Sequence, residues 1–168
     1  MQTPEGSLPS TSRREEDDGD LQALVAEAEG ARSQKDADGE QKAYASLLIA
    51  ARVEGHDRYT AEALYGLGGV LLRKADYEPA RVVLSQAVTL WDTLEDEGRA
   101  AESGARLGVA LHYGSDHGGA HVQFRRALDR FRALEDLKGV ARCTSWLGIL
   151  AAQLGDFEGA LKHQLDTL

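Results

Sequence analysis

The sequence predicts an all-α fold, an α-solenoid of about four helix hairpins, on three observations. From Leu21 onward apolar residues recur at three- and four-residue spacing, and no alternating, strand-like segment competes with that pattern. A set of small, apolar and acidic residues returns at a step of 40 residues. The chain also holds 18 glycines but only 3 prolines, and glycine costs about 1 kcal/mol relative to alanine inside a helix. Glycines in a helical pattern therefore need a packing reason, and the 40-residue register supplies one.

The elements follow in order. Residues 1–20 carry two of the three prolines, several serines and threonines and a cluster of acids, with Leu8 the only large apolar residue after Met1. Such a composition buries too little to offset its ordering entropy, so a disordered acidic tail is expected there. The array is expected over 21–168, with repeats at 21–57, 58–97, 98–137 and 138–168. Breaks near Lys35–Gly39, Glu54–Asp57, Ala75–Asp76, Glu95–Gly98, Gly114–Asp116, Asp136–Gly139 and Gly155–Asp156 divide it into about eight helices.

The repeat is visible residue by residue. Leu67-Gly68, Leu107-Gly108 and Leu147-Gly148 are 40 apart, as are Asp76, Asp116 and Asp156, and Ala80, Ala120 and Ala160. Ala87 with Ala127, Trp91 with Phe131, and Leu94-Glu95-Asp96 with Leu134-Glu135-Asp136 keep the same step. A more diverged first unit aligns at a step of 37, Ala43, Leu47 and Ala50 matching Ala80, Leu84 and Ala87. The glycines fall mid-way along the first helix of each pair and the alanines in the second. Small residue against small residue is expected to let the paired helices approach closely. Asp76, Asp116 and Asp156 are expected to cap the second helices through their free amides. One hairpin cannot bury both of its faces, so neighbours must stack.

Leu147-Gly148 followed by Gly155-Asp156-Phe157-Glu158-Gly159-Ala160, and Leu67-Gly68 followed by Ala75-Asp76-Tyr77-Glu78-Pro79-Ala80, Leu84 and Ala87, resemble a tetratricopeptide repeat (TPR) array. The resemblance covers residues 21–168 and implies a right-handed superhelix. The 40-residue step is similar to the long-repeat subclass seen in Pins-type polarity adaptors and bacterial signalling proteins. Residues Leu134-Glu135-Asp136-Leu137-Lys138-Gly139-Val140-Ala141 read like the linker between such repeats. What it implies for function is a protein- or peptide-binding scaffold, the sensory or partner-binding part of a larger bacterial signalling or regulatory protein, cytoplasmic and without catalysis. The alternative is a self-association module whose groove or C-terminal face is filled by a second copy.

Composition narrows the partners. A net charge of -9, nearly half of it in the first 20 residues, disfavours nucleic acid and anionic membranes, which need a basic surface. No apolar run approaches the ~20 residues of a membrane span. The single cysteine, Cys143, excludes an internal disulfide and a multi-cysteine zinc site; it is expected to be buried and apolar.

The most tempting chemistry is at His112, His117 and His121, two of them one helical turn apart. The repeat offers a plainer account: His117 fills the aromatic position of Tyr77 and Phe157, His112 faces the groove and His121 faces solvent. No metal and no cofactor are expected. Gly66-Leu67-Gly68-Gly69 lacks the Lys-Ser or Lys-Thr of a phosphate loop and no strand precedes it. No pair of carboxylates stands apart as acid and base, so no enzyme is nominated.

What remains is the concave wall, which the resemblance assigns to the first helix of each pair. Taking the stripe opposite the packing glycines nominates Arg32, Glu62, Tyr65, Leu72, Arg73, Glu102, Val109, His112, Tyr113, Arg142, Ser145 and Ile149 as the groove. Tyr65, Tyr113, Arg73 and Arg142 are the expected anchors, since aromatic and arginine side chains dominate contact energetics. Chaperone-tail clamps use lysines and asparagines; the matching positions here are Ala28, Arg32, Tyr65, Gly69, Ala105 and Val109, and the chain has no asparagine. A peptide with apolar anchors and one acidic group is the better fit. Leu161, Leu165 and Leu168 close the sequence without a covering helix, so either a longer array or a homodimer through that face is expected.

Overall fold

A computed structural model describes residues 11–153, with side chains from residue 19 onward. Over these residues the chain forms α1 (Thr11–Ser33), α2 (Ala37–Glu54), α3 (Asp57–Arg73), α4 (Tyr77–Thr93), α5 (Glu97–Tyr113), α6 (His117–Ala133) and α7 (Leu137–Gln153). Each helix packs on the next, and α3 also touches α5, so the odd-numbered helices line the inner wall of an all-α solenoid. Helix starts recur every 40 residues at Asp57, Glu97 and Leu137, and again at Tyr77 and His117. The eighth expected helix, Ala160, Gly155–Asp156 and the closing leucines lie outside the described residues.

α1 begins at Thr11, inside the stretch whose composition suggests a tail to Asp20. Arginine and glutamate there have good helix propensity, and a helix that docks through Leu21 and Ala28, both fully buried, can extend outward along its own axis. Low hydrophobicity argues against a core and leaves such an extension open.

The turns are uniform. Lys35, Gly55, Ala75, Glu95, Ser115 and Glu135 stand 20 residues apart, and all six have left-handed φ between 55° and 75°. Around Ala75 its N–H donates to the Leu72 carbonyl at 3.1 Å and that of Asp76 to the Leu71 carbonyl at 2.9 Å, which satisfies the free carbonyls of α3. The residue that completes this closure also starts the next helix. Asp36, Asp96, Asp116 and Asp136 accept from the N–H of Gly39, Arg99, Gly119 and Gly139 at 2.9, 3.0, 2.8 and 3.1 Å. Asp76 occupies the same position but makes no side-chain cap. The reason is in the sequence: the amide three residues on belongs to Pro79, which has no N–H. His56 is the one turn without an aspartate, and it too makes no side-chain cap.

The core alternates large and small residues. Trp91, Phe124, Phe131, Leu47, Leu84 and Leu147 are almost wholly buried among Ala43, Ala80, Ala87, Ala120 and Ala127. The packing glycines work differently from the small-against-small expectation. A Cβ on Gly108 would stand 2.8 Å from the Phe124 ring, and one on Gly68 would collide with Leu84. Gly68 and Gly108 each receive the large side chain four residues beyond the alanine, Leu84 and Phe124. The alanine packs its own helix closely while the glycine makes room for the ring.

Candidate functional site

The inner wall is built from α1, α3, α5 and α7, whose long side chains cross between helices. Gly66, Arg106 and Trp146 share one register position, 40 residues apart, on the seam between successive odd helices. Gly66 receives the ring of Tyr44. Arg106 reaches back across α3, its guanidinium 3.9 Å above the Tyr65 ring and donating to the Tyr65 carbonyl at 3.3 Å. It fills the space over Gly69, where Arg73 Nη1 also arrives, 3.7 Å from the position a Cβ would take. Burial holds the Arg106 guanidinium below the ordinary arginine value; Tyr65 and Glu102 oppose this, and weaker like-charge repulsion from Arg32 and Arg73 adds to it.

Around this centre the nominated residues fall into two groups. Tyr65 donates to Glu102 at 3.3 Å, and Arg142 donates to the same carboxylate at 2.8 Å. Glu62 pairs with Arg99 at 2.8 Å, and Arg99 lies 5.3 Å over Tyr65. Arg73 pairs with Glu40, a carboxylate that is 3% exposed. The second group is aromatic: Tyr113 stacks on Tyr77 at 4.8 Å and meets Trp146 edge-on at 6.2 Å. Trp146 in turn stacks on Phe124 at 5.5 Å.

Exposure separates surface from filling. Arg32, Arg73, Tyr113, Arg142, Ser145 and Ile149 are exposed, and Glu62, Tyr65, Leu72, Glu102 and Val109 are half-buried. His112 is the exception to the groove expectation. It is 9% exposed, enclosed by Tyr113, His117 and Trp146 at ring distances of 5.0, 5.3 and 5.3 Å. Its pKa is lowered by burial, with His117 contributing. His117 joins this cluster as an aromatic filler and His121 is exposed. Among the described residues no three His, Cys, Asp or Glu side chains stand together to hold a metal.

Two depressions mark the wall. One, about 130 Å³, is lined by Glu102, Ala105, Arg106, Val109, Arg142 and Trp146. The other, about 380 Å³, lies near the α1–α2 turn between Arg32, Lys35, Ala37, Glu40 and Arg73. Arg106, Arg99, Trp146 and Glu40 are absent from the stripe read off the sequence. The stripe counts turns along one helix, whereas these side chains enter from the neighbouring helix. The signal that finds Arg106 is a glycine at 69, opposite it on the adjacent helix.

Cys143 is fully buried, and burial pushes its thiol up to about 11. Gly66-Leu67-Gly68-Gly69 lies within α3 rather than ahead of a helix, so its amides are spent on helix bonds. Among the described residues no helix is long and apolar enough to cross a membrane.

No family model and no curated protein sequence matches the chain. Solved structures do match. BtubC (BKLC) from P. vanneervenii superposes with a TM-score of 0.81 at 20% identity, covering 88% of this chain and 61% of that one. The apo form of RapI gives 0.80 at 15% identity, over 88% and 41%. MamA gives 0.54 at 17% identity, over 83% and 91%. The chain thus spans less than two thirds of the BtubC and RapI chains. At these identities the likeness concerns the fold, which is an all-α solenoid of stacked helices.

Proposed function

We propose that the chain is a protein- or peptide-binding scaffold that acts through the inner wall of the solenoid and carries out no catalysis of its own. The observation that carries this reading is the row of exposed and half-exposed anchors, Tyr65, Arg142, Trp146, Tyr113 and Ile149, aligned along successive odd helices beside a depression of about 130 Å³. Aromatic and arginine side chains held rigidly by their neighbours contribute contact energy at low entropic cost. The partner is a peptide segment with apolar anchors. The 40-residue recurrence of helix starts supports assignment to the long-repeat TPR subclass. On that reading the chain is the partner-binding part of a larger bacterial regulatory protein working in the cytoplasm.

The test is selection of peptides from a random 12-residue library on the whole 168-residue chain, followed by titration against variants. Tyr113→Ala with Ile149→Asp removes two exposed inner-wall anchors and should weaken the selected peptides at least about tenfold. Val82→Asp with Val122→Asp, on α4 and α6, should leave affinity unchanged. Loss confined to the α4–α6 variant would overturn the proposal.

A further inference from the structure

Three carboxylates around the inner wall are already committed. Glu40 is paired with Arg73, Glu62 with Arg99, and Glu102 with Arg142. Arg32 and Arg106 have no carboxylate within ion-pair distance among the described residues. Arg106 uses one N–H on the Tyr65 carbonyl, which leaves most of its five donors available. Lys35 stands beside Arg32 and Arg73 around the 380 Å³ depression. Exposed Glu29 on α1 offsets only part of this charge. A chain with a net charge of -9 thus gathers Arg32, Lys35, Arg73 and Arg106 at one end of the wall it offers to a partner, against Glu40, which pairs with Arg73, and Glu102, which attracts Arg106.

The cost of the arrangement supports a ligand. Burial works against the charged form of Arg106; Tyr65 and Glu102 favour it, while Arg32 and Arg73 add a weaker like-charge repulsion. An anion arriving between the guanidiniums relieves the repulsion and makes charge-assisted, bidentate bonds.

We propose that the α1–α3–α5 part of the inner wall is a carboxylate seat, in which Arg106 and Arg32, with Arg73 at the rim, bind an Asp or Glu side chain of an acidic peptide segment. The adjoining apolar residues of that segment then lie along Val109 and Trp146. This rests on the proposed peptide groove and adds the charge class of its occupant.

The experiment uses the peptides enriched in the library selection, acetylated and amidated so that their only carboxylates are side chains. Each is titrated with its Glu→Gln and Asp→Asn counterparts against the unaltered chain, Arg32→Gln and Arg106→Gln. Arg32 is exposed, so Arg32→Gln folds irrespective of what happens at Arg106. The expected result is that enriched peptides carry acidic residues, and that removing the acid weakens binding about tenfold or more on the unaltered chain. The same change should have less than about twofold effect on Arg106→Gln or Arg32→Gln, because the coupling has already been removed. Peptides that lose affinity to Tyr113→Ala with Ile149→Asp but are indifferent to their acids would overturn the carboxylate seat alone. Failure to enrich any inner-wall binder would overturn the groove itself.

Discussion

Replacing Gly108 by alanine separates two opposed effects whose sizes the structure sets. In an open helix position the substitution stabilises by about 1 kcal/mol through backbone entropy. At Gly108 the new Cβ would stand 2.8 Å from two atoms of the Phe124 ring, against an ordinary carbon contact of about 3.5–4 Å. The ring cannot retreat freely, since Phe124 is fully buried and stacked on Trp146 at 5.5 Å. Overpacking of this kind costs about 1–3 kcal/mol, so Gly108→Ala should be net destabilising by about 1 kcal/mol, lowering Tm by about 2–4 °C. The control is Gly30→Ala in α1, where a Cβ meets nothing within 4 Å and stability should rise by about 0.5–1 kcal/mol. Thermal unfolding followed by far-UV circular dichroism measures both. Shortening the ring restores the space, so Gly108→Ala with Phe124→Leu should cost less than the two single changes summed. A Gly108→Ala protein that melts above the unaltered chain, as Gly30→Ala should, would refute the account of why the glycines repeat.

Other outcomes follow from the turns, the thiol and the buried histidine. Ser115→Gly relieves a non-glycine residue at φ 67° and should stabilise by about 0.5–1 kcal/mol; a loss on thermal melting would contradict the left-handed turn. His56→Asp introduces the side-chain cap that α3 lacks, worth about 0.5–1 kcal/mol, whereas Asp116→Ala should lose about 1 kcal/mol by removing one. Cys143, with its thiol pushed up to about 11, should resist a chromogenic disulfide reagent at neutral pH until the protein unfolds; prompt labelling of the folded chain would contradict its burial. His112 is held below its ordinary value of 6.5, so below that pH the unfolded chain binds the extra proton first. Its contribution is complete above the unfolded pKa and declines as pH falls below it. Stability measured by urea unfolding should therefore fall below about pH 6.5, and His112→Gln should flatten that part of the profile.

The sequence carried the fold in unusual detail because two independent periods agree. Amphipathic spacing identifies helices, and the 40-residue register divides them into pairs, so the six breaks that fall among the described residues coincide with turns. Side-chain partners needed more than periodicity. Which residue enters the notch at Gly108 depends on the rotation between paired helices, and Ala120 and Phe124 lie on the same face of α6. The missing cap at Asp76 was legible in Pro79, and the caps at Asp36, Asp96 and Asp136 in their 20-residue recurrence with Asp76 and Asp116. The wall was legible only along each helix. Arg106 and Trp146 sit one position off the stripe and reach the site across a seam, a relation that only the stacking of repeats creates. His112 lies on the stripe, but Trp146 of the next repeat covers it.

Those crossing side chains make the inner wall a single surface, and chemical-shift mapping tests that surface most directly. Titrating an isotope-labelled 168-residue chain with a peptide selected without regard to site should move resonances of Tyr65, Arg106, Tyr113 and the Trp146 indole together. Changes concentrated instead at Val82 and Val122 on α4 and α6, with the inner wall silent, would contradict the binding account.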